Sequence, residues 1–207
     1  MTRSTSPSRR APRAHLLLTR HGESEWNALG RWQGQADPPL TARGREQAER
    51  AARAARHLVE RVVASDLARA AETAHIVARH LGVEPTLVPD LRERDVGPWS
   101  GLTMPEVEAR WPGYVAAGRK PEGAEQDDAL WLRVERGLIR AAESGGRALV
   151  VAHGGVIALL ERKLGDPRGK IHNLEARWVE VHAEAELVLG ARLRLDEHTA
   201  EPQADVV

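Results

Sequence analysis

The chain alternates between short apolar runs and longer stretches in which apolar residues recur every three or four positions. "HLLL" at 15–18 is followed by "TARGREQAERAARAARHL" at 41–58, then by "RVVAS" at 61–65 and "DLARAAETAHIVARHLG" at 66–82. Near the far end "RALVVAH" at 147–153 runs into "GGVIALLERKLG" at 154–165. Short continuous apolar runs suit strands buried on both faces, and the helical periodicity between them suits amphipathic crossovers. Strand, helix, strand, helix predicts an α/β fold with a largely parallel sheet covered on both faces. Helix boundaries carry their own signals: Thr41 is placed to cap the first long helix, Ser65 or Asp66 the next, and Gly82 to close it. "RWVEV" at 177–181 and "ARLRL" at 191–195 alternate with period two and predict further strands.

The ends read differently. Residues 1–14, "MTRSTSPSRRAPRA", mix Ser, Pro and Arg without apolar periodicity and predict a disordered basic tail, and the acidic stretch 196–207 predicts a flexible one. The folded body expected between them, 15–195, is the size of one ordinary domain with one core. Thirty basic residues balance thirty acidic ones, so no global field is available to hold nucleic acid or an anionic membrane, and any basic site must be local. The absence of cysteine excludes disulfides, thiolate metal sites and a cysteine nucleophile. No apolar stretch approaches the roughly 18 residues of a membrane span. The N-terminus has no signal-peptide apolar region, and only "HLLL" follows Arg9-Arg10, too little for a twin-arginine signal. The expectation is a soluble cytoplasmic protein, with a homodimer left open.

Chemistry gathers where apolar runs end. In an open parallel sheet, ligands collect beyond the carboxyl ends of the strands. "TRHGE" follows the first run and "VVAHGGV" includes a late one, which places His21 and His153 at a common edge of the sheet. Gly22, Gly154 and Gly155 leave backbone N–H groups open to close approach by an anion. Arg20 offers a fixed planar cation for phosphoryl oxygens, and Arg69 falls in the first turn of a helix. Together these residues predict a phosphate pocket. A neutral histidine, with an ordinary pKa of about 6.5, can accept a phosphoryl group at neutral pH. Glu93, in "DLRERDVGPWSGLT" at 90–103, is a candidate to protonate the leaving oxygen if a desolvated setting raises its pKa.

Five stretches in order, "RHGES-x-WN" at 20–27, "PLT-x-x-G-x-x-QA" at 39–48, "S-D-L-x-RA-x-x-TA" at 65–74, "L-x-E-x-x-x-G-x-W" at 91–99 and "AHGGVI" at 152–157, resemble the histidine phosphatase superfamily with its phosphoglycerate mutase-like fold. The resemblance spans about 15 to 182. It implies a three-layer α/β/α sandwich with a mostly parallel central sheet and neither metal nor cofactor. It further implies that His21 is phosphorylated, that Arg20, Arg69 and His153 hold the transferring phosphoryl, and that Glu93 is proton donor and then base for water. Asn27 matches a phosphate-pocket position, and Gly154 offers its amide beside it. Ser100 departs from the pattern, since many relatives carry an acidic residue after the tryptophan. Substrate specificity is expected around "RWQGQADPP" at 31–39, including Trp32 and Gln33, and in the 100–130 segment, where Glu125 looks like an acidic position facing substrate. Trp99 is a further candidate for the substrate side, although six tryptophans in a chain without phenylalanine also serve as core.

Plainer readings compete. Arg69 is one of 27 arginines, many of which must lie on solvated helix faces. Glu93 stands between Arg92 and Arg94 as a surface ion cluster would, with Asp95 as rival for its role. His75 and His80 are five apart and do not share a helix face as metal ligands. "GDPRGKI" at 165–171 imitates a P-loop but has three residues between its glycines, and Ile171 where Ser or Thr should stand. The leading expectation is a metal-independent phosphomonoesterase acting on a small phosphorylated metabolite. The alternatives are a phosphoglycerate mutase-type isomerase and a non-catalytic phospho-ligand binder.

Overall fold

A computed structural model describes residues 11–196. The elements run β1 (Ala14–Arg20), α1 (Glu25–Ala28), α2 (Ala42–Ala55), β2 (Arg61–Ala64), α3 (Ala68–Leu81), β3 (Thr86–Leu87), α4 (Met104–Arg110), α5 (Asp127–Ala142), β4 (Gly146–Ala152), α6 (Gly154–Lys163), β5 (Glu175–Val181) and β6 (Leu187–Arg194). Folded structure begins one residue before the expected boundary, with Ala14 already in register with Gly146 of β4 and Val181 of β5. The tails 1–10 and 197–207 lie outside the described residues.

The six strands form one sheet in the order β3-β2-β4-β1-β5-β6. β3, β2, β4 and β1 are parallel, whereas β5 runs antiparallel to β1 and β6 antiparallel to β5. Alternation along β1 explains the three layers. Leu16 and Leu18 face one side and pack with Leu130, Val134 and Leu138 of α5 and Val156 and Leu160 of α6. Leu17 faces the other and packs with Ala51, Ala52 and Ala55 of α2 and Ala70, Ala74 and Val77 of α3. Both faces of the central strands are therefore apolar, as the unbroken runs in the sequence require. The small alanines let α2 and α3 lie close to the sheet and to each other.

Thr41 caps α2 by accepting from the N–H of Gly44, and Gly82 ends α3 at a left-handed φ of 71°. The start of α3 differs from expectation. Leu67 occupies the cap position and offers no side-chain oxygen; the Ala68 N–H is taken instead by Asp37 Oδ1, at 2.6 Å, from a loop 31 residues away. Asp66 is engaged by Arg92, at 2.7 and 2.6 Å, which holds its carboxyl below the usual range. Ser65 accepts from Leu67 N–H, one residue short of the helix. A tertiary donor-acceptor pair has replaced the local cap.

Under the sheet's antiparallel edge lies a buried ion cluster. Glu161 of α6 and Arg177 of β5 are each 1% exposed. Glu161 accepts from Arg192 Nε at 2.7 Å and Nη2 at 2.5 Å and lies 3.5 Å from Arg177 Nη1, while Arg177 also bonds Asp166. Breaking a buried pair leaves an uncompensated charge and costs about 3–5 kcal/mol. Glu161→Ala should lower stability by that order in urea unfolding; a loss under about 1 kcal/mol would mean that Asp166 and solvent satisfy both arginines.

Candidate active site

β1 and β4 are parallel neighbours, so their carboxyl ends deliver His21 and His153 side by side. The ring centroids lie 5.2 Å apart. The helices that follow, with the loops 31–37 and 92–97 and the segment 165–173, enclose a cavity of about 540 Å³ lined by Arg20, His21, Asn27, Arg69, Glu93 and Gly154, among others. Close approach of the turns depends on glycine. A Cβ on Gly22 would sit 2.5 Å from the carbonyl oxygen of Gly44, and one on Gly155 would sit 2.4 Å from Glu93 Oε1.

His21 is held by two partners whose roles are fixed. Its Nδ1 lies 2.6 Å from Gly22 O, which can only accept, and Arg69 Nε–H, which can only donate, reaches Nε2 at 3.2 Å. The proton therefore sits on Nδ1 and the lone pair on Nε2. Arg69, 1% exposed, is anchored by the carbonyls of Ala36 at 2.7 Å and Gly34 at 2.8 Å. Burial lowers its pKa to about 10, which leaves it cationic at neutral pH. Arg20 donates from Nη1 to Ile171 O at 2.8 Å, and its Nε is buried without a partner among the described residues. Both nitrogens of His153 are likewise buried and unpartnered. Buried polar atoms in that condition are costly unless a ligand supplies the bond.

Burial first, and then the charges of Arg69 and Arg20, push the pKa of His21 well below the ordinary histidine value, with the Gly22 carbonyl opposing. His153 is lowered by burial and by Arg69 in the same direction. Both rings are neutral at physiological pH. The unfolded chain takes up two protons below about pH 6.5 that the folded chain resists, so stability is present at neutral pH and is lost as pH falls below that value. A His21→Asn, His153→Asn variant should therefore lose less urea stability than the wild type between about pH 7.5 and about pH 5.5. Equal losses would contradict the burial of neutral rings.

Glu93 reaches the cavity from the segment between β3 and α4. Its Oε1 accepts from Arg94 N–H at 2.7 Å and its Oε2 from Gly155 N–H at 2.9 Å, at the start of α6. Asp95, the rival in sequence, turns back to cap Gly97 N–H at 2.8 Å and does not line the cavity. Asn27, Trp32 and Gln33 also line it.

Two residues expected on the substrate side, Glu125 and Trp99, are not among those lining this cavity. Glu125 is not among the lining residues: both its carboxylate oxygens are taken by Arg133 at 2.7 Å, and it accepts from Asp95 N–H at 3.2 Å. Arg133 in turn bonds the carbonyls of Asp90, Arg92 and Glu93 at 3.0, 2.6 and 2.9 Å. The pair splints the loop that carries Glu93 and does not line the cavity. Trp99 is 5% exposed and packs at a tilt against Trp32, centroids 5.1 Å apart, in the wall of an adjoining cavity of about 360 Å³. Residues that the sequence reading passed over include Thr73, which accepts from Gly22 N–H at 3.1 Å and donates to Arg69 O at 2.7 Å, and Asn173, which donates to His21 O at 2.8 Å. Thr73 lies inside the quoted 65–74 motif. Asn173 had no local signal.

A three-layer α/β sandwich thus gathers paired histidines, the buried Arg69, the half-buried Arg20 and a carboxylate at its parallel strand ends. The chain belongs to the histidine phosphatase superfamily (branch 1), whose family model matches residues 16–186. It is 38% identical over 149 residues to a protein named probable phosphoglycerate mutase GpmB from Enterobacter sp. (strain 638), covering 67% of this chain and 69% of that one. It is 36% identical over 173 residues to phosphoglycerate mutase-like protein 4 from Arabidopsis thaliana, covering 78% and 75%. Among solved structures, mycobacterial glucosyl-3-phosphoglycerate phosphatase in complex with VO3 superposes with a TM-score of 0.76 at 29% identity, over 86% of this chain and 97% of that one. Relatives are thus named both as mutases and as phosphatases. No helix among the described residues is long and apolar enough to cross a membrane.

Proposed function

We propose that the protein is a metal-independent phosphomonoester hydrolase that acts through phospho-His21 on a small phosphorylated metabolite in the cytoplasm. The observation that carries this reading is the tautomer of His21, with Nδ1–H committed to Gly22 O and the Nε2 lone pair directed at Arg69 on the cavity side. In the first step Nε2 attacks phosphorus, the P–Nε2 bond forms, and the ester P–O bond breaks. The leaving oxygen takes the proton of the Glu93 carboxyl. In the second step the Glu93 carboxylate accepts a proton from water, the water oxygen attacks phosphorus, and the P–Nε2 bond breaks to release phosphate and neutral His21. Arg20, Arg69 and His153 offset the charge that builds on the equatorial oxygens, the task magnesium performs in many phosphoryl-transfer sites. Lysine at either arginine would lose the planar fork.

Isomerisation is the second reading, favoured by the names of the mutase relatives. Hydrolysis is supported by the short stretch of chain between Glu93 and His153. A mutase must keep its phosphohistidine from water while the substrate re-binds, and only 59 residues, 94 to 152, separate Glu93 from His153. The deciding assay supplies 3-phosphoglycerate with catalytic 2,3-bisphosphoglycerate, in EDTA, and follows both 2-phosphoglycerate and free phosphate. Phosphate release should exceed interconversion and survive the chelator. Interconversion far faster than release would establish the mutase reading, and activity restored only by a divalent ion would refute the metal-independent one.

A further inference from the structure

Asn27 and Gln33 both line the cavity, and a carboxamide there can present either donors or an acceptor, depending on how it is turned. For Asn27 the choice is made by groups that have none. Ser24 N–H, which can only donate, reaches its Oδ1 at 3.3 Å, and Nδ2 of Asn173 reaches the same oxygen at 3.2 Å. Asn173 is fixed in its turn, because its Nδ2 also donates to the carbonyl oxygen of His21 at 2.8 Å. The next residue, Leu174, is held at a φ of 56° and gives its N–H to Arg20 O at 2.9 Å. A leucine adopts that left-handed conformation only where its surroundings hold it. Two consecutive residues thus clamp the backbone of Arg20 and His21 at the end of β1.

With its oxygen doubly engaged, Asn27 has only its NH2 left for the cavity. Gln33 is turned the same way. The Ser24 hydroxyl, fully buried, accepts from Asn27 N–H at 3.3 Å and donates to Gln33 Oε1 at 2.7 Å. An ionised phosphoryl group offers acceptors alone, so amides turned by these partners match it.

We propose that Asn173 is a positioning residue: it ties the backbone of the nucleophile to Asn27 and sets the Asn27 amide with its donors towards the phosphoryl group. The proposal rests on the reading of this cavity as a phosphoryl site, and its test reads binding instead of turnover. Inorganic phosphate is titrated calorimetrically into the full chain as wild type, Asn27→Ala, Asn173→Ala and the double variant. Asn27→Ala should weaken binding about tenfold, the value of one hydrogen bond to a charged group. Asn173→Ala should weaken it about threefold or more, and this loss should vanish in the Asn27→Ala background, because the residue acts through that amide. An equal factor in both backgrounds would reduce Asn173 to a general structural role and overturn the proposal, as would no loss in the single variant. Asn173→Ser, which keeps one donor but cannot span both acceptors, repeats the cycle if the alanine variant does not fold. Wild type that does not bind phosphate refutes the inference; wild type that binds it but turns over no ester refutes only the hydrolase reading.

Discussion

Replacing His21 by alanine should abolish turnover, by about 10⁴-fold or more, while leaving the protein folded and able to bind phosphate. The expectation follows from the division of labour at the strand ends. Arg20 and Arg69 line the cavity and His153 adjoins His21, and substitution at each is expected to leave activity in part. The covalent step instead needs a lone pair on a correctly turned imidazole. His153 is the other ring at hand, yet neither of its nitrogens has a partner among the described residues to set its tautomer, whereas His21 is bracketed by Gly22 O and Arg69 Nε. Initial rates with a chromogenic ester, alongside circular dichroism and a phosphate titration, separate lost chemistry from lost structure. A folded His21→Ala variant with more than a few per cent of wild-type activity would show that the nucleophile lies elsewhere.

Glu93→Gln should lower the rate by about 10² to 10⁴ with alkyl phosphates, whose leaving oxygen must be protonated as the ester bond breaks. With nitrophenyl phosphate the loss should be much smaller, because that leaving group departs as the anion. Glutamine is close to glutamate in size and can still accept one of the two backbone N–H bonds, from Arg94 and Gly155, that position the carboxylate. It cannot give up a proton as a carboxylic acid does. The contrast between the two esters is therefore the informative quantity. Losses of equal size would assign Glu93 to holding the start of α6 and not to proton transfer.

The parts of this architecture legible in the sequence are those that local pattern dictates. β1, β2 and β4 are continuous apolar runs because both sheet faces are covered, and α2, α3 and α6 repeat at helical spacing because each buries one face. His21 and His153 could be placed on one edge because both follow parallel strands. What escaped the sequence depends on partners distant along the chain. α3 takes its cap from Asp37, 31 residues before Ala68, so neither Ser65 nor Asp66 was needed. β3 is two residues long and carries too little pattern to register. Glu125 stands in a loop that reads as substrate-facing until Arg133, one helix turn pair further on, is seen to engage both its oxygens. Asn173 acts across 152 positions on His21 and 146 on Asn27, and no window on the sequence could connect them.

The central claim is that a phosphoryl group passes through Nε2 of His21, and rapid quenching tests it most directly. Wild-type protein mixed with substrate labelled in its phosphoryl group, stopped in base within the first turnover and digested, should carry the label on the peptide containing residue 21. The bond should be stable in base and labile in acid, as a phosphoramidate is, and should form and decay at rates that account for turnover. Steady hydrolysis with no label on the protein, or label found on His153 instead, would contradict the account.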